Sequence, residues 1–471
     1  MATQEYRAPM DSEPKDLENA SDKAADSLDH HNSTDEEKFE HDHPEEAAAE
    51  AEAQPKGPPA GGPSGGPPPN GGLQAWLQVV GSWCLFFNTW GLLNTFGVYQ
   101  TYYASGAIFT ATSSDISWIG SVQALALLLT GAFVGPVFDR GYFRYLLVGG
   151  GFLVVFGHMM LSLSHTLWQA VLAQGLCVGI GAGMLFVPAV CRKAIMPTYF
   201  TTNLGLAIGL AASGSSMGGI IYPIMFYKLI PEVGFPWAVR ILGFTVLATL
   251  LIPISVMKMR LKPAKVRALF DPSAFTDLPY IWCVLTCTIG YIGLYVGIFY
   301  LSYFGQSTGI TDESLSFYLV PILNAASVLG RTVPNWISDK IGPLNVITPG
   351  ALLMGVILLC NLGVHSSSGL IATVFFFGLF SGIFIALPPV LFVVLTKNKA
   401  VVGTRIGMGF AIMGMGVLIG GPAAGAILEN SAGGQNWTGV WLLGGFCPLG
   451  AAVSFILLRG YRAGFQPMVK V

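Results

Sequence analysis

Asn324, Ser327 and Arg331 stand three and four residues apart, the spacing that puts side chains on one face of a helix. All three donate hydrogen bonds, and the guanidinium offers a planar fork of donors that suits a carboxylate, an enolate or a polarised carbonyl. Such a face recognises an oxygen-bearing group through hydrogen bonds and makes no covalent bond to it. The setting sharpens the point. Phe317 to Leu329 is an almost uncharged apolar stretch, and the next formal charge after Arg331 is Asp339. Eight residues of helix are ~12 Å at 1.5 Å each, so in a membrane helix Arg331 lies towards the middle. A charge there costs at least ~2.5 kcal/mol on insertion scales. The blander alternative is that Arg331 snorkels to the nearer interface. Every acid outside the N-terminal tail falls at the end of an apolar stretch or between stretches, so no carboxylate of the chain is expected to neutralise Arg331. The missing counter-ion is then expected to be a bound solute, with Asn94 of the first apolar stretch approaching the same face across a water-filled cavity.

A second group of charges lies in short turns. Asp139-Arg140-Gly141, followed by Arg144, has a counterpart in Asp339-Lys340-Ile341-Gly342. On residue types alone these are basic loops with a turn-making glycine.

The elements that must hold these groups are membrane helices. Of 471 residues 52% are hydrophobic and only 11% charged, against roughly 25% charged in a soluble domain. Twelve stretches reach the ~20 apolar residues needed to cross a bilayer, so the expected fold is an all-α membrane protein of twelve transmembrane helices. Sixteen basic residues fall between spans or after the last one on the side of the termini and only Lys228 falls in a loop on the other side, which places both termini in the cytoplasm. Residues 1–75 hold 17 acidic and 5 basic side chains and the remainder 9 and 19. Residues 1–52 read as a disordered acidic cytoplasmic tail and 53–72 as a Pro/Gly linker. The expected domains are then an N-terminal six-helix bundle over 73–257, a cytoplasmic loop over 258–279, a C-terminal bundle over 280–459 and a tail over 460–471. The tail histidines His30, His31, His41 and His43 lack a folded frame, and no metal or other cofactor is expected. Cys283 and Cys287 share a helix face without a further ligand nearby in sequence and read as small buried side chains.

The halves echo one another. Gly205, Gly214, Gly218 and Gly219 recur as Gly407, Gly416, Gly420 and Gly421, at a constant offset in sequence. Six plus six with an internal repeat is a plan of secondary transporters, in which the halves rock about a midplane site. GPVFDRGYFR, Gly135 to Arg144, resembles the loop between spans two and three of the major facilitator superfamily. Across residues 70–460, NGGLQAW, YFTTNLGLAIGLAASGSSMGG and NAASVLGR with SDKIGPLNV resemble the monocarboxylate porter family, particularly its fungal branch. The resemblance implies a latch in which Asp139 accepts hydrogen bonds from a neighbouring helix terminus and pairs with a cation, with Arg140, Arg144, Asp339 and Lys340 as its other members. It also implies that Arg331 binds a carboxylate. Two departures bear on mechanism: the Lys and Asp that the family's proton-coupled lactate carriers place in spans one and eight are Asn94 and Ser327 here, which puts that proton relay in doubt.

The expected function is secondary active transport of a small organic solute, acidic or carboxylate-bearing, across a fungal plasma membrane, with export of a secondary metabolite favoured over nutrient uptake. Tyr291, Tyr295 and Phe299 beside the expected cavity suit a ring-bearing solute. The partners expected are that solute, a coupling ion where one drives transport, and the bilayer, but no nucleic acid. A membrane enzyme would need clustered His, Asp or Glu at depth, and none is seen. A transporter-derived sensor would need a folded extension. Asn88 and Gln123 could line the path or hold helices together, while His158 and His365 read as structural.

Overall fold

The computed structural model describes residues 71–190, 199–200, 204–259, 266–398, 400–430 and 435–464. The acidic tail, the linker up to residue 70, part of the central loop and the last seven residues lie outside the described residues.

Among the described residues twelve spans can be followed. The first is Leu73–Asn94, continued through Thr95 into Phe96–Ala104. At Thr95 the backbone tightens to bonds three residues apart, Thr95 N–H to the Leu92 carbonyl and Val98 N–H to that of Thr95. The second and third are Ser113–Asp139 and Phe143–Leu161. The fourth runs Leu167–Ala170, a π-helical stretch Val171–Val178, and Gly179–Val190. Spans five and six share the helical run Leu204–Val256, which turns at Gly234. There φ is 71° and ψ 168°, a conformation open essentially to glycine alone, and Pro231 and Pro236 flank it. The seventh to ninth are Leu278–Ser307, Glu313–Ile341 and Pro343–Cys360. The tenth is Ser367–Ala386 with Pro388–Leu395, and the last two are Val402–Glu429 and Trp437–Ala463.

The sequence repeat reappears as repeated construction. Spans two and eight open on matching caps, Thr112 accepting from the Asp115 N–H and Asp312 from the Leu315 N–H, each tying down a donor left free at a helix start. Gly214 and Gly218 rest on the Trp83 and Phe87 carbonyls of the first span, and Gly416 and Gly420 rest on the Thr288 and Ile292 carbonyls of the seventh. Only a side chain of hydrogen lets these backbones meet, the small-residue packing that replaces hydrophobic drive inside a membrane. A third pair turns outward from its own half: Gly219 abuts Asn324 of span eight and Gly421 abuts Ser121 of span two. The halves therefore meet along two related seams, five against eight and two against eleven.

Arg140, Arg144, Lys258, Arg267, Lys340, Lys397, Arg405 and Arg459 all lie at the end where the first span begins and the last one finishes. They make this the basic end of the molecule.

Candidate functional site

Span eight carries the candidate face. Its 29 residues have their midpoint at residue 327, which sets Arg331 about 6 Å, one helical turn, towards the basic end. Arg331 is mostly buried. Its Nε donates to Ser327 Oγ at 3.1 Å, one turn back on the same helix. Its Nη1 donates at 2.5 Å to Ser215 Oγ of span five, in the other half. Ser215 Oγ–H is itself given to the Ala212 carbonyl at 2.6 Å, so the serine meets the guanidinium as an acceptor. Asn335 Nδ2 donates to the Arg331 carbonyl at 2.7 Å. Among the described residues no carboxylate lies within ion-pair distance of Arg331. Two hydroxyls at depth bear its charge.

Asn324, two turns nearer the opposite end, accepts from Asn94 Nδ2 at 3.0 Å and donates to the Val320 carbonyl at 3.0 Å. Asn94 belongs to the first span, so this bond also crosses between halves. The four expected site residues thus form two linked pairs, Asn94 with Asn324 and Ser327 with Arg331, and all but Arg331 are fully buried. Ser215 completes the set. In sequence it was one of three serines in AASGSSMGG, and nothing local singles it out. Tyr291 and Tyr295 of span seven lie close enough to Arg331 to interact with its charge, whereas Phe299 packs on Phe96 of the first span, ring centroids 4.7 Å apart.

Other residues weighed from the sequence take structural places. Asn88 accepts from Tyr222 Oη at 2.6 Å and exchanges contacts with Thr249, holding spans one, five and six together. His158 bonds the Val154 carbonyl of its own helix at 2.8 Å. His365 lines a cavity of about 410 Å³ with Phe304 and Trp437 at the end opposite the basic one. Gln123 is buried, its Oε1 without a hydrogen-bond partner among the described residues.

The charged turns are divided. Asp139, buried at the end of span two, takes Arg267 in a fork: Nε to Oδ2 at 2.6 Å and Nη2 to Oδ1 at 2.8 Å, with the Arg267 backbone N–H adding 3.0 Å to Oδ2. Arg267 sits between Gly135 of span two and Gly403 at the start of span eleven. Arg140 and Arg144 are exposed, as are Asp339 and Lys340, and the Lys340 ammonium lies 3.6 Å above the centre of the Trp336 ring. The structure adds a cluster that the sequence reading treated only as loop charge. Arg405 of span eleven is 5% exposed and pairs with Asp271 at 2.8 Å and Asp277 at 2.6 Å. Burial alone would raise the Asp271 carboxyl, but the Arg405 and Ser273 hydrogen bonds and the Arg405 charge outweigh it and hold the group below the usual carboxylate range. Thr404 Oγ1 donates to the Ala268 carbonyl at 2.7 Å. Residues 267–277 thus run as a strap from Asp139 in one half to Arg405 in the other.

The Major Facilitator Superfamily profile matches residues 79–360. The chain belongs to the major facilitator superfamily. Among relatives, the MFS-type transporter dbaD of Emericella nidulans is 58% identical over 380 residues, 81% of this chain and 85% of its own. The aspyridones efflux protein apdF of the same fungus is 36% identical over 366 residues, 78% of this chain and 74% of its own. Of solved structures, the nucleoside transporter NupG superposes with a TM-score of 0.66 at 15% identity, covering 82% of this chain and 100% of NupG; at that identity the likeness concerns the fold. This major facilitator protein is therefore a multi-pass membrane transporter of a small molecule and not an enzyme, and the all-α twelve-helix architecture expected from its apolar stretches is the one found.

Proposed function

We propose that this transporter exports a ring-bearing fungal secondary metabolite whose acidic group, a carboxylate or enolate, is received by Arg331 in the alternating-access cycle. The observation that carries the reading is a guanidinium near mid-membrane bonded to Ser215 and Ser327 hydroxyls and to no carboxylate among the described residues. Two neutral hydroxyls fix its plane without cancelling its charge, which leaves an anion as the group that gains most by entering. Asn94 and Asn324, joined across the halves, bound the site towards the opposite end. Efflux is the direction in the printed name of one relative, and the basic end is read as cytoplasmic by its Lys and Arg content, in the plasma membrane. Asp139 with Arg267 is the centre of the latch at that end, with Arg140, Arg144, Asp339 and Lys340 in the charged turns beside it.

The test is export from yeast loaded with a panel of aromatic carboxylates and enolic acids, with and without a pH gradient. Wild type should export at least one of them, and Arg331→Ala should abolish that export at equal surface expression. Unchanged export by Arg331→Ala removes Arg331 from the site. Dependence on the gradient would identify the proton as the coupling ion.

A further inference from the structure

Span seven carries a buried hydroxyl within electrostatic reach of the guanidinium. Tyr291 is fully buried, its ring held between Tyr295 and Phe384 with centroids 5.9 Å from each. Gly290, next to it in the chain, lies directly under the Phe384 ring and lets span ten press on span seven. So packed, the ring has little freedom to swing its hydroxyl elsewhere. Yet among the described residues that hydroxyl has no hydrogen-bond partner. Buried hydroxyls are almost always paired, and an orphan calls for a cause. Tyr291 is also close enough to Arg331 to feel its charge. The guanidinium in turn spends Nε on Ser327 and Nη1 on Ser215, and five N–H groups are available to it. Donors outnumber acceptors on this face. An acceptor is what the site lacks.

From this we infer that Tyr291 is a specificity-determining residue whose hydroxyl donates to a second oxygen of the acidic group seated on Arg331. The inference rests on the proposal that Arg331 receives that group. It narrows the solute to one with two oxygens in a plane, as in a carboxylate or the enolate of a 1,3-dicarbonyl, joined to a ring that can lie against the Tyr295 side of the site. A solute with a single ketone or alcohol oxygen would satisfy Arg331 and leave Tyr291 unpaired, losing the discrimination that a buried unpaired donor imposes.

The experiment uses the full chain in lipid nanodiscs and 1-naphthoate as probe, with binding read from the ligand-dependent rise in melting temperature. Tyr291→Phe removes one oxygen and keeps the ring, and because the hydroxyl has no partner among the described residues the unliganded melting temperature should not fall. The apparent Kd for 1-naphthoate should rise about tenfold, the factor worth one hydrogen bond to a charged acceptor, while 1-acetylnaphthalene, with one carbonyl oxygen, should bind wild type and Tyr291→Phe alike. Equal 1-naphthoate affinity in wild type and Tyr291→Phe, or a lowered unliganded melting temperature in Tyr291→Phe, overturns the role given to Tyr291. In the first case an effect of Arg331→Ala on binding would leave the Arg331 proposal standing. If 1-naphthoate binds wild type no better than Arg331→Ala, or does not bind at all, the Arg331 proposal falls and this inference falls with it.

Discussion

The seam between spans two and eleven and the seam between five and eight occupy related places in the repeat, and they are built differently. Along the first, Gly407 meets Ala132, Gly414 meets Leu125, Gly421 meets Ser121 and Gly425 meets Ser114, so contact continues over most of both helices. Tyr300 Oη bonds the Gly421 and Ser113 carbonyls and Ser114 Oγ the Pro422 carbonyl, and the 267–277 strap closes its basic end. Along the second, contact starts away from the basic end with the stacked Tyr227 and Phe317 rings, 4.8 Å apart, and passes through Asn324 against Gly219 to Arg331 on Ser215. Towards the basic end this seam is less covered: Ile208 and Ala212, on the Ser215 face of span five, and Asn335, one turn on from Arg331, are partly exposed. One repeat has thus yielded a close-packed hinge and a polar seam less covered at one end. Small residues suit the first because backbones must touch; the second tolerates a buried cation because hydroxyls flank it.

The largest effect on this contrast should come from the strap. Arg405→Met leaves Asp271 and Asp277, whose side chains are only 10% and 17% exposed, without their cation, and breaking such a pair costs about 3–5 kcal/mol. The melting temperature in detergent should fall by several degrees. A wedge in the closed seam comes next: a Cβ at Gly421 would stand 2.7 Å from Ser121 Oγ and 3.1 Å from the Phe299 ring, so Gly421→Val should lose about 1–3 kcal/mol by overpacking, read as a lower melting temperature.

How far the sequence led can be judged from these residues. The spans, the paired glycines and the isolation of Arg331 were legible, because hydrophobic length, backbone contact and the cost of a deep charge are all local properties of composition. Ser215, Arg267 and Arg405 were not. A helix face shows which way Arg331 points but not which of Ser213, Ser215 or Ser216 meets it from the other half. Arg267 and Asp271 lie in a segment without periodicity, where charge reads only as a loop. The turn at Gly234 between spans five and six, by contrast, falls where Pro231, Gly234 and Pro236 signal a break.

Smaller effects sharpen the same comparison. Asp139→Asn keeps an acceptor but gives up the charge-assisted fork to Arg267, and should cost about 1–2 kcal/mol, visible as faster cysteine labelling at the basic end. Because the Asp271 carboxyl is held below its unfolded value, its contribution to stability is complete above about pH 4. It is lost only as pH falls through the lower folded value, so melting between pH 7 and pH 5 should not change on account of this pair. On span five, away from its seam with span eight, Gly209→Ala meets no neighbour among the described residues and should be neutral or stabilising by less than ~1 kcal/mol, in contrast to Gly421→Val.

The central claim is that solute, and not protein, neutralises Arg331. Ser215→Asp tests it most directly by placing a carboxylate where Arg331 Nη1 already points, 2.5 Å from the serine oxygen. Measured as export of an acidic solute from loaded yeast at matched expression, Ser215→Asp should fall at least about a hundredfold, as low as Arg331→Ala, while the purified protein melts no lower than wild type. Export by Ser215→Asp at the wild-type rate would show that the guanidinium does not wait for an anion.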